Sequence, residues 1–509
     1  MQGRFHYYET DDCVRTMLSL LLFVCVLCIA SVWSKYARGR PKYPLPPAMP
    51  GALPFVGVLH QVLKNYSRRW DFLKSKAEEC AKLGGVTHAH FGSELYYVIT
   101  DPQDALTASN QCLKKHYAFD LAKIWMGDGL VLSSGDIWKR HRKLLSPAFT
   151  LPIIHSFLDV FNSQAKKLAS SMEPHVGKGL FDPFLKLKLN ALETFCVGTL
   201  GIEALDDVNF TEKYMESVDD IVTLWISRVV KVWLLSDVVW KLTGLKKKEQ
   251  ELVDTLHTMT NKVLQRKKAA LKNKGVEKVI ESQTSGIKYR PFLDLLLELS
   301  TNGAFTDDEI REETDTIIAA GYDTTSNQIT FALLLLGAHP DEQEKVYEEL
   351  LAVLGPDRDV EKDDINKLVY TNAVIMESLR LFPSIPSLFR TVETDVKLKN
   401  YTMPAGSYCV IFPIAASSVD PSWGPEPDKF RPERWLHGDF RNNKEYSAFG
   451  LGKRACIGRT YAMISMKVTL AHFLREYRVK ADLSNLKLNF DFLMKPISGH
   501  DISIESRRI

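Results

Sequence analysis

Cys456 stands in FGLGKRACIG, residues 449–458, a loop in which Gly450, Gly452 and Gly458 permit tight backbone. The loop runs into RTYAMISMKVTLAHFLREY, residues 459–477, which reads as a helix. A thiol just ahead of a helix start lies near positive backbone dipoles, and Arg454 stands two residues away; both favour the thiolate, the form that ligates a metal. The competing reading of a lone loop cysteine is a small buried hydrophobe. The chemistry around it decides between the two.

Three other groups could carry chemistry. Asp323-Thr324-Thr325 places an acid beside two hydroxyls inside IIAAGYDTTSNQITFALLLL, residues 317–336. Such a pair can pass protons, or its hydroxyls can simply bond back to carbonyls one turn earlier. Glu377 and Arg380 lie one helical turn apart, alone a surface pair worth only about 0.2–0.5 kcal/mol. WKRHRKLLSPAF, residues 138–149, puts Trp138 and Arg142 on one helix face, while Lys139, Arg140 and Lys143 read by default as a solvated face.

The elements that must position these groups are mostly helices. Residues 306–337 open with the capping box Thr306-Asp307-Asp308-Glu309 and close before His339 and Pro340. Their centre is apolar almost all round, as in a helix running through the middle of a large domain. Residues 341–354 and 365–381 read as further helices, with Pro340 and Pro383 as punctuation, and 396–398, 407–411 and 501–504 as short strands. Residues 272–290, rich in Lys, Gly, Ser and Gln, read as a surface loop. The pattern is a mainly α body with small β-sheets and no internal repeat.

A net charge of +3 over 509 residues makes no case for nucleic-acid binding. Of the eight cysteines, Cys25 and Cys28 have metal-like spacing but sit in an apolar run, so reduced thiols and a cytosol-facing domain are expected. That run, residues 16–33, is uncharged and about long enough for one transmembrane helix rather than a cleaved signal peptide. Lys35, Arg38, Arg40 and Lys42 follow it, which places the later chain in the cytosol. Residues 41–57, PKYPLPPAMPGALPFVG, read as a semi-rigid spacer. The expected organisation is an anchor at 1–35, a Pro-rich hinge at 36–57 and one catalytic domain at 58–509. Within residues 221–244, Trp225, Trp233 and Trp240 suit a membrane interface or a core equally.

Phe449, Gly452, Arg454, Cys456 and Gly458 fall at the spacing of the haem-binding signature of the cytochrome P-450 family, which the chain resembles over nearly its whole length. The resemblance implies the P-450 fold and haem b held by the Cys456 thiolate, with Phe449 and Arg454 beside it. It makes Trp138, Arg142 and Arg390, in PSIPSLFR, propionate partners, and Arg434, in FRPERW, the third member of a structural triad with Glu377 and Arg380. It gives Gly321 the role of clearing bulk on the distal side, Thr324 that of organising a water relay and Asp323 that of linking it to bulk protons.

HRKLLSPAF, PFLDLLLELS, TDDEIREETDT, AAGYDTT and KPISGHDISIESR look most like the family 4 clan, particularly insect members. Many of those enzymes carry, where Ala320 stands here, a Glu that can esterify a haem methyl; Ala320 implies haem without that link. The implied function is a haem-thiolate monooxygenase of the endoplasmic reticulum acting on a lipophilic substrate. The body holds no GxGxxG loop with a following acidic residue and no cysteine array for an iron–sulfur cluster, so electrons must come from a partner. NADPH–cytochrome P-450 reductase, with cytochrome b5, fits, and Lys139, Arg140 and Lys143 are candidates for its docking. Two alternatives are a haem-thiolate isomerase or dehydratase, whose members commonly alter the acid–alcohol pair intact here, and a non-catalytic haem or lipophile carrier.

Overall fold

Thr306 opens the helix around which the rest is arranged. Its Oγ1 accepts from the Glu309 N–H at 3.1 Å, and Glu309 Oε2 accepts from the Thr306 N–H at 2.9 Å, a reciprocal cap. The helix runs Asp307–Ala338 and stops where Pro340 begins the next one. Every side chain from Thr325 to Leu336 is buried, as a helix through the middle of a domain requires.

The computed structural model describes residues 24–26, 28–29, 33, 41–53, 56–201, 208–281, 291–412, 423–424, 426–436 and 447–507. In chain order the helices used below are α1 (Arg69–Lys82), α2 (Pro102–Gln111), α3 (Gly135–Leu145), α4 (Leu158–Met172), α5 (Phe184–Phe195), α6 (Val208–Val230), α7 (Leu245–Glu281), the central α8 (Asp307–Ala338), α9 (Pro340–Leu354), α10 (Val369–Leu381) and α11 (Arg459–Glu476). One apolar core joins them: Phe161 of α4, Leu192 and Phe195 of α5, Ile318, Tyr322 and Leu333 of α8, and Leu470 and Phe473 of α11. Each such side chain contributes roughly 1.5–3 kcal/mol when removed from water.

A five-stranded sheet flanks this body in the order β1-β2-β7-β4-β3, where β1 is Val86–Phe91, β2 Glu94–Ile99, β3 Lys114–Lys115, β4 Leu388–Thr391 and β7 Tyr408–Ile411. Only β2 and β7 pair in parallel. The two-stranded sheets are β5 (Val396–Lys397) with β6 (Thr402–Met403), β8 (Tyr477–Ala481) with β11 (Ile502–Ser506), and β9 (Lys487–Phe490) with β10 (Met494–Ser498).

Two readings from sequence change, and two others gain detail. The surface loop at 272–290 is helical in its first part, because α7 continues to Glu281; residues 282–290 lie outside the described residues. The helix read at 365–381 starts later, at Val369, behind a 3₁₀ turn at Lys362–Asp364 whose Glu361 and Asp364 cap each other. The Pro-rich segment, read as a semi-rigid spacer, runs along β1: Pro47 O accepts from His88 N and Met49 N donates to His88 O, and just beyond it Val58 N donates to His90 O. Trp225 and Trp240 are buried, and Trp233 is 55% exposed. The membrane helix read at 16–33 lies for the most part outside the described residues, and among the described residues no helix is long and apolar enough to cross a membrane.

Candidate active site

The Cys456 loop is closed by its own backbone. Cys456 N donates to Phe449 O at 2.7 Å, Gly450 N to Ser447 O at 2.7 Å and Ala455 N to Gly452 O at 3.1 Å. Gly452 has φ of 65°, and a Cβ there would lie 2.6 Å from Asn110 Oδ1 on α2, so glycine is required. Burial pushes the thiol up from its ordinary value, further than the Gly458 N–H, Arg142 and Arg459 pull it down. The expectation that Arg454 biases Cys456 towards thiolate is thereby corrected. Arg454 instead donates to Ser133 O and lies 4.5 Å from the centroid of the Trp138 ring. A bound metal supplies the charge that burial denies the thiolate. Surrounded by protein, Cys456 is still exposed on one side, as is Ala320 midway along α8.

Four cations cluster around Arg454 of the cysteine loop: Arg142, Arg390, Lys115 and Arg454 itself. Trp138 is buried and Arg142 half-buried on one face of α3, which is braced against α8 by His141 Nδ1 to Glu313 Oε1 at 2.6 Å, both side chains buried. Arg390 on β4 is cross-strand partner of Lys115 on β3. Burial, with Arg390 and Arg142, holds Arg454 down to about 9. Burial, with Arg390 and Arg454, holds Lys115 well below the usual lysine range, and burial lowers Arg390 and Arg142 as well. The buried Nε atoms of Arg390 and Arg454 have no hydrogen-bond partner. Among the described residues no carboxylate answers these charges, so the cluster fits a ligand that brings two carboxylates beside the thiol, as haem does. Lys115 escaped the sequence reading because a lysine next to a lysine carries no signal until the sheet pairs it with Arg390.

The distal groups lie on α8. Thr324 Oγ1 donates to Ala320 O and Thr325 Oγ1 to Gly321 O, each at 3.0 Å, the local back-bonding available to any helical threonine. Thr324 is half-buried on the same side as the exposed Ala320. Asp323 is buried and meets two lysines, Lys495 at 3.0 Å and Lys188 at 3.5 Å. At Gly321 a Cβ would lie 2.1 Å from the Phe195 ring, so its bareness lets α5 close on α8.

Glu377, at 0% exposure, draws α10 and the segment after it together. It accepts Arg380 Nε and Nη2 at 2.8 Å each, Arg434 Nε at 3.3 Å, Trp435 Nε1 at 2.9 Å and Arg431 N at 3.0 Å. Arg380 and Arg434 spend their remaining donors on the carbonyls of Pro427, Lys429, Trp423 and Glu426. Phe449 lies under Arg459, 5.6 Å from guanidinium to ring.

A family model described as Cytochrome P450 matches residues 46–503. The chain belongs to the cytochrome P450 family. It is 30% identical over 507 residues to Cytochrome P450 4c3 of Drosophila melanogaster, covering 96% of this chain and 95% of that one. It is likewise 30% identical to Cytochrome P450 4c21 of Blattella germanica over 504 residues, 96% of this chain and 99% of that one, and 33% identical to Cytochrome P450 4V2 of Rattus norvegicus over 413 residues, 79% and 78%. This P450 is therefore a haem-thiolate monooxygenase, an oxidoreductase with a haem cofactor that works with a redox partner on lipophilic substrates.

Proposed function

We propose that this P450 inserts one atom of dioxygen into a fatty acid, hormone-like lipid or xenobiotic, with electrons from NADPH delivered by NADPH–cytochrome P-450 reductase and assisted by cytochrome b5. The observation that carries the reading is a thiol set in protein but open on one side, beside a cluster of four cations that no described carboxylate answers. The Cys456 thiolate would ligate the haem iron, and Trp138, Arg142, Arg390, Arg454 and Lys115 would hold the propionates. Haem bound there supplies dioxygen activation and oxygen insertion. Glu377, Arg380 and Arg434 hold the segment beneath the site in place. Thr324, half-buried beside the accessible Ala320, would orient a proton-bearing water once its hydroxyl turns from the Ala320 carbonyl, and Asp323 would feed that water with protons.

Lipophilic access and the cytosolic face of the endoplasmic reticulum fit one surface. Val232, Trp233, Leu235, Val238 and Leu242 are exposed after α6. Lys231 Nζ lies 6.0 Å from the Tyr66 ring, which brings this patch beside the segment carrying exposed Leu53, Val56 and Leu63. Exposed apolar surface of this kind marks contact with lipid or a partner, and residues 1–35 would anchor it. For reductase docking the basic run divides: Arg140 is engaged with Glu309 and Ala304 O, which leaves Lys143 and Lys139, paired only to exposed Asp136, as the free candidates.

The test is spectroscopic and kinetic. Reduced protein under carbon monoxide should absorb as thiolate-ligated haem, and Cys456→Ala should abolish that spectrum. Oxygen consumption should require both NADPH and the reductase. Peroxide rearrangement without such consumption would overturn the reading in favour of an isomerase.

A further inference from the structure

Asp323 does not face water directly. It belongs to a closed ring of four charges contributed by four elements: Lys188 of α5, Asp219 of α6, Asp323 of α8 and Lys495 of β10. Lys495 Nζ lies 2.6 Å from Asp219 Oδ1 and 3.0 Å from Asp323 Oδ2, while Lys188 Nζ lies 2.7 Å from Asp219 Oδ2 and 3.5 Å from Asp323 Oδ1. The ring is neutral, which buried charges require. Its side-chain exposures are unequal: 4% at Lys188, 6% at Asp323, 24% at Lys495 and 44% at Asp219. The route from the Asp323 carboxylate through the ring to solvent thus passes a lysine and leaves at Asp219.

The two lysines are not equivalent. Lys188 at 3.5 Å is too far for a strong bond to Asp323, and Asp323 Oδ1 has no hydrogen-bond partner. Lys495 holds the other oxygen at bonding distance. Burial would lower the Lys495 ammonium, but Asp323 and Asp219 raise it well above the usual lysine range. Asp219 is held below the usual carboxylate range by the same two lysines, against its burial. Tyr214 of α6 and Tyr322 of α8 are also buried close by, their hydroxyls unpartnered and both pushed up by burial and by Asp323.

Lys495 is delivered to this place by α8 itself. Asn327, four residues after Asp323 and so on the same helix face, donates from Nδ2 to Met494 O at 2.5 Å, and Met494 N donates to Ser384 O at 2.9 Å. At the turn of the same hairpin, Arg69 of α1 pairs with Asp491 and donates to Phe490 O, the residue opposite Met494. The turn end of the hairpin, next to Lys495, is thus held by both α8 and α1.

We propose that Lys495 is a positioning residue for proton delivery: it fixes the Asp323 carboxylate and joins it, through Asp219, to solvent and to α6. This rests on the reading of Asp323 as the proton link. The consequence is that proton supply on α8 and the docking of α6 are set by one ammonium group on the hairpin, 172 residues along the chain from Asp323.

The experiment uses the full-length haem enzyme with reductase and NADPH, and reads hydrogen peroxide released per NADPH oxidised together with amide hydrogen exchange along α6. Lys495→Met should raise the peroxide yield about threefold, well short of the ~100-fold effect of losing a whole proton-transfer group, and should speed exchange in α6. Lys495→Arg should return both towards the parent values. Faster α6 exchange with an unchanged peroxide yield would make Lys495 merely structural and overturn the inference. Asp323→Asn separates the two levels. If it leaves the peroxide yield unchanged, the reading of Asp323 fails; if it raises the yield and Lys495→Met does not, only the role of Lys495 fails.

Discussion

Phe195 fills the space that a side chain on Gly321 would need, with its ring 2.1 Å from where a Cβ would stand. Phe195 is 2% exposed, and its ring also meets Tyr461 at 5.4 Å between centroids, so it has little room to yield. Gly321→Ala should therefore cost about 1–3 kcal/mol, the usual penalty of overpacking, and should lower the denaturation midpoint of the apoprotein as well as that of the haem form. A variant as stable as the parent would show that α5 can shift freely, and would return Gly321 to a role on the cofactor side alone.

Lys115 should have opposite effects with and without haem. In the apoprotein its ammonium is penalised by burial and by Arg390 and Arg454, so Lys115→Met should leave the folded apoprotein at least as stable as the parent. With haem, the same change removes one charge-assisted partner of a propionate, worth roughly 1.5–3 kcal/mol. Transfer of haem to apomyoglobin should then be at least about tenfold faster. Destabilised apoprotein with unchanged haem transfer would place Lys115 outside the cradle.

The elements that announce themselves locally were legible in the sequence. Thr306 and Glu309 cap the central helix because both signals lie within four residues. The Cys456 loop was legible for the same reason, as its glycines and closing hydrogen bonds all fall within the twelve residues 447–458. Glu377, Arg380 and Arg434 could be grouped only through the family pattern, since the third member is 54 residues beyond the second. Lys115, Lys188 and Lys495 were not legible at all: each is an ordinary lysine until a strand pairing or a hairpin brings it to Arg390 or Asp323. The packing role of Gly321 was not legible either, because the sequence shows a bare position and not the ring that presses on it.

Stability should depend on pH through groups of opposite sign. Burial holds His116 down to about 4, and burial with Arg475 holds His472 down to about 4. The unfolded chain takes up these protons as pH falls through 6.5, so stability is lost between about 6.5 and 4, by at most ~3 kcal/mol per histidine. Asp315 runs the other way: burial raises it to about 7, so the folded state keeps a proton that the unfolded state releases above 3.8, and acidification across that window adds stability. Asp315→Asn keeps an acceptor for Trp125 Nε1 and Thr260 Oγ1 but cannot titrate. Its urea midpoint should fall more steeply than the parent's between pH 7 and pH 5. Parallel slopes for the two proteins would refute the shift assigned to Asp315.

Ala320 bears on how haem is attached. It is exposed on α8 one turn before Thr324, whose hydroxyl donates to the Ala320 carbonyl, so under the proposed reading a longer side chain there would extend towards the haem. A methyl cannot form an ester, and the Cys456 thiolate would be the sole protein ligand bonded to the haem. Acid denaturation protonates that thiol, which burial already favours, so acid–organic extraction should carry all haem into the organic phase. Ala320→Glu supplies the missing carboxylate at the same helical position, and after turnover with NADPH and reductase part of the haem should stay with the polypeptide. Haem retained by the parent protein would contradict the assignment, since it would require a covalent link from a residue other than Ala320.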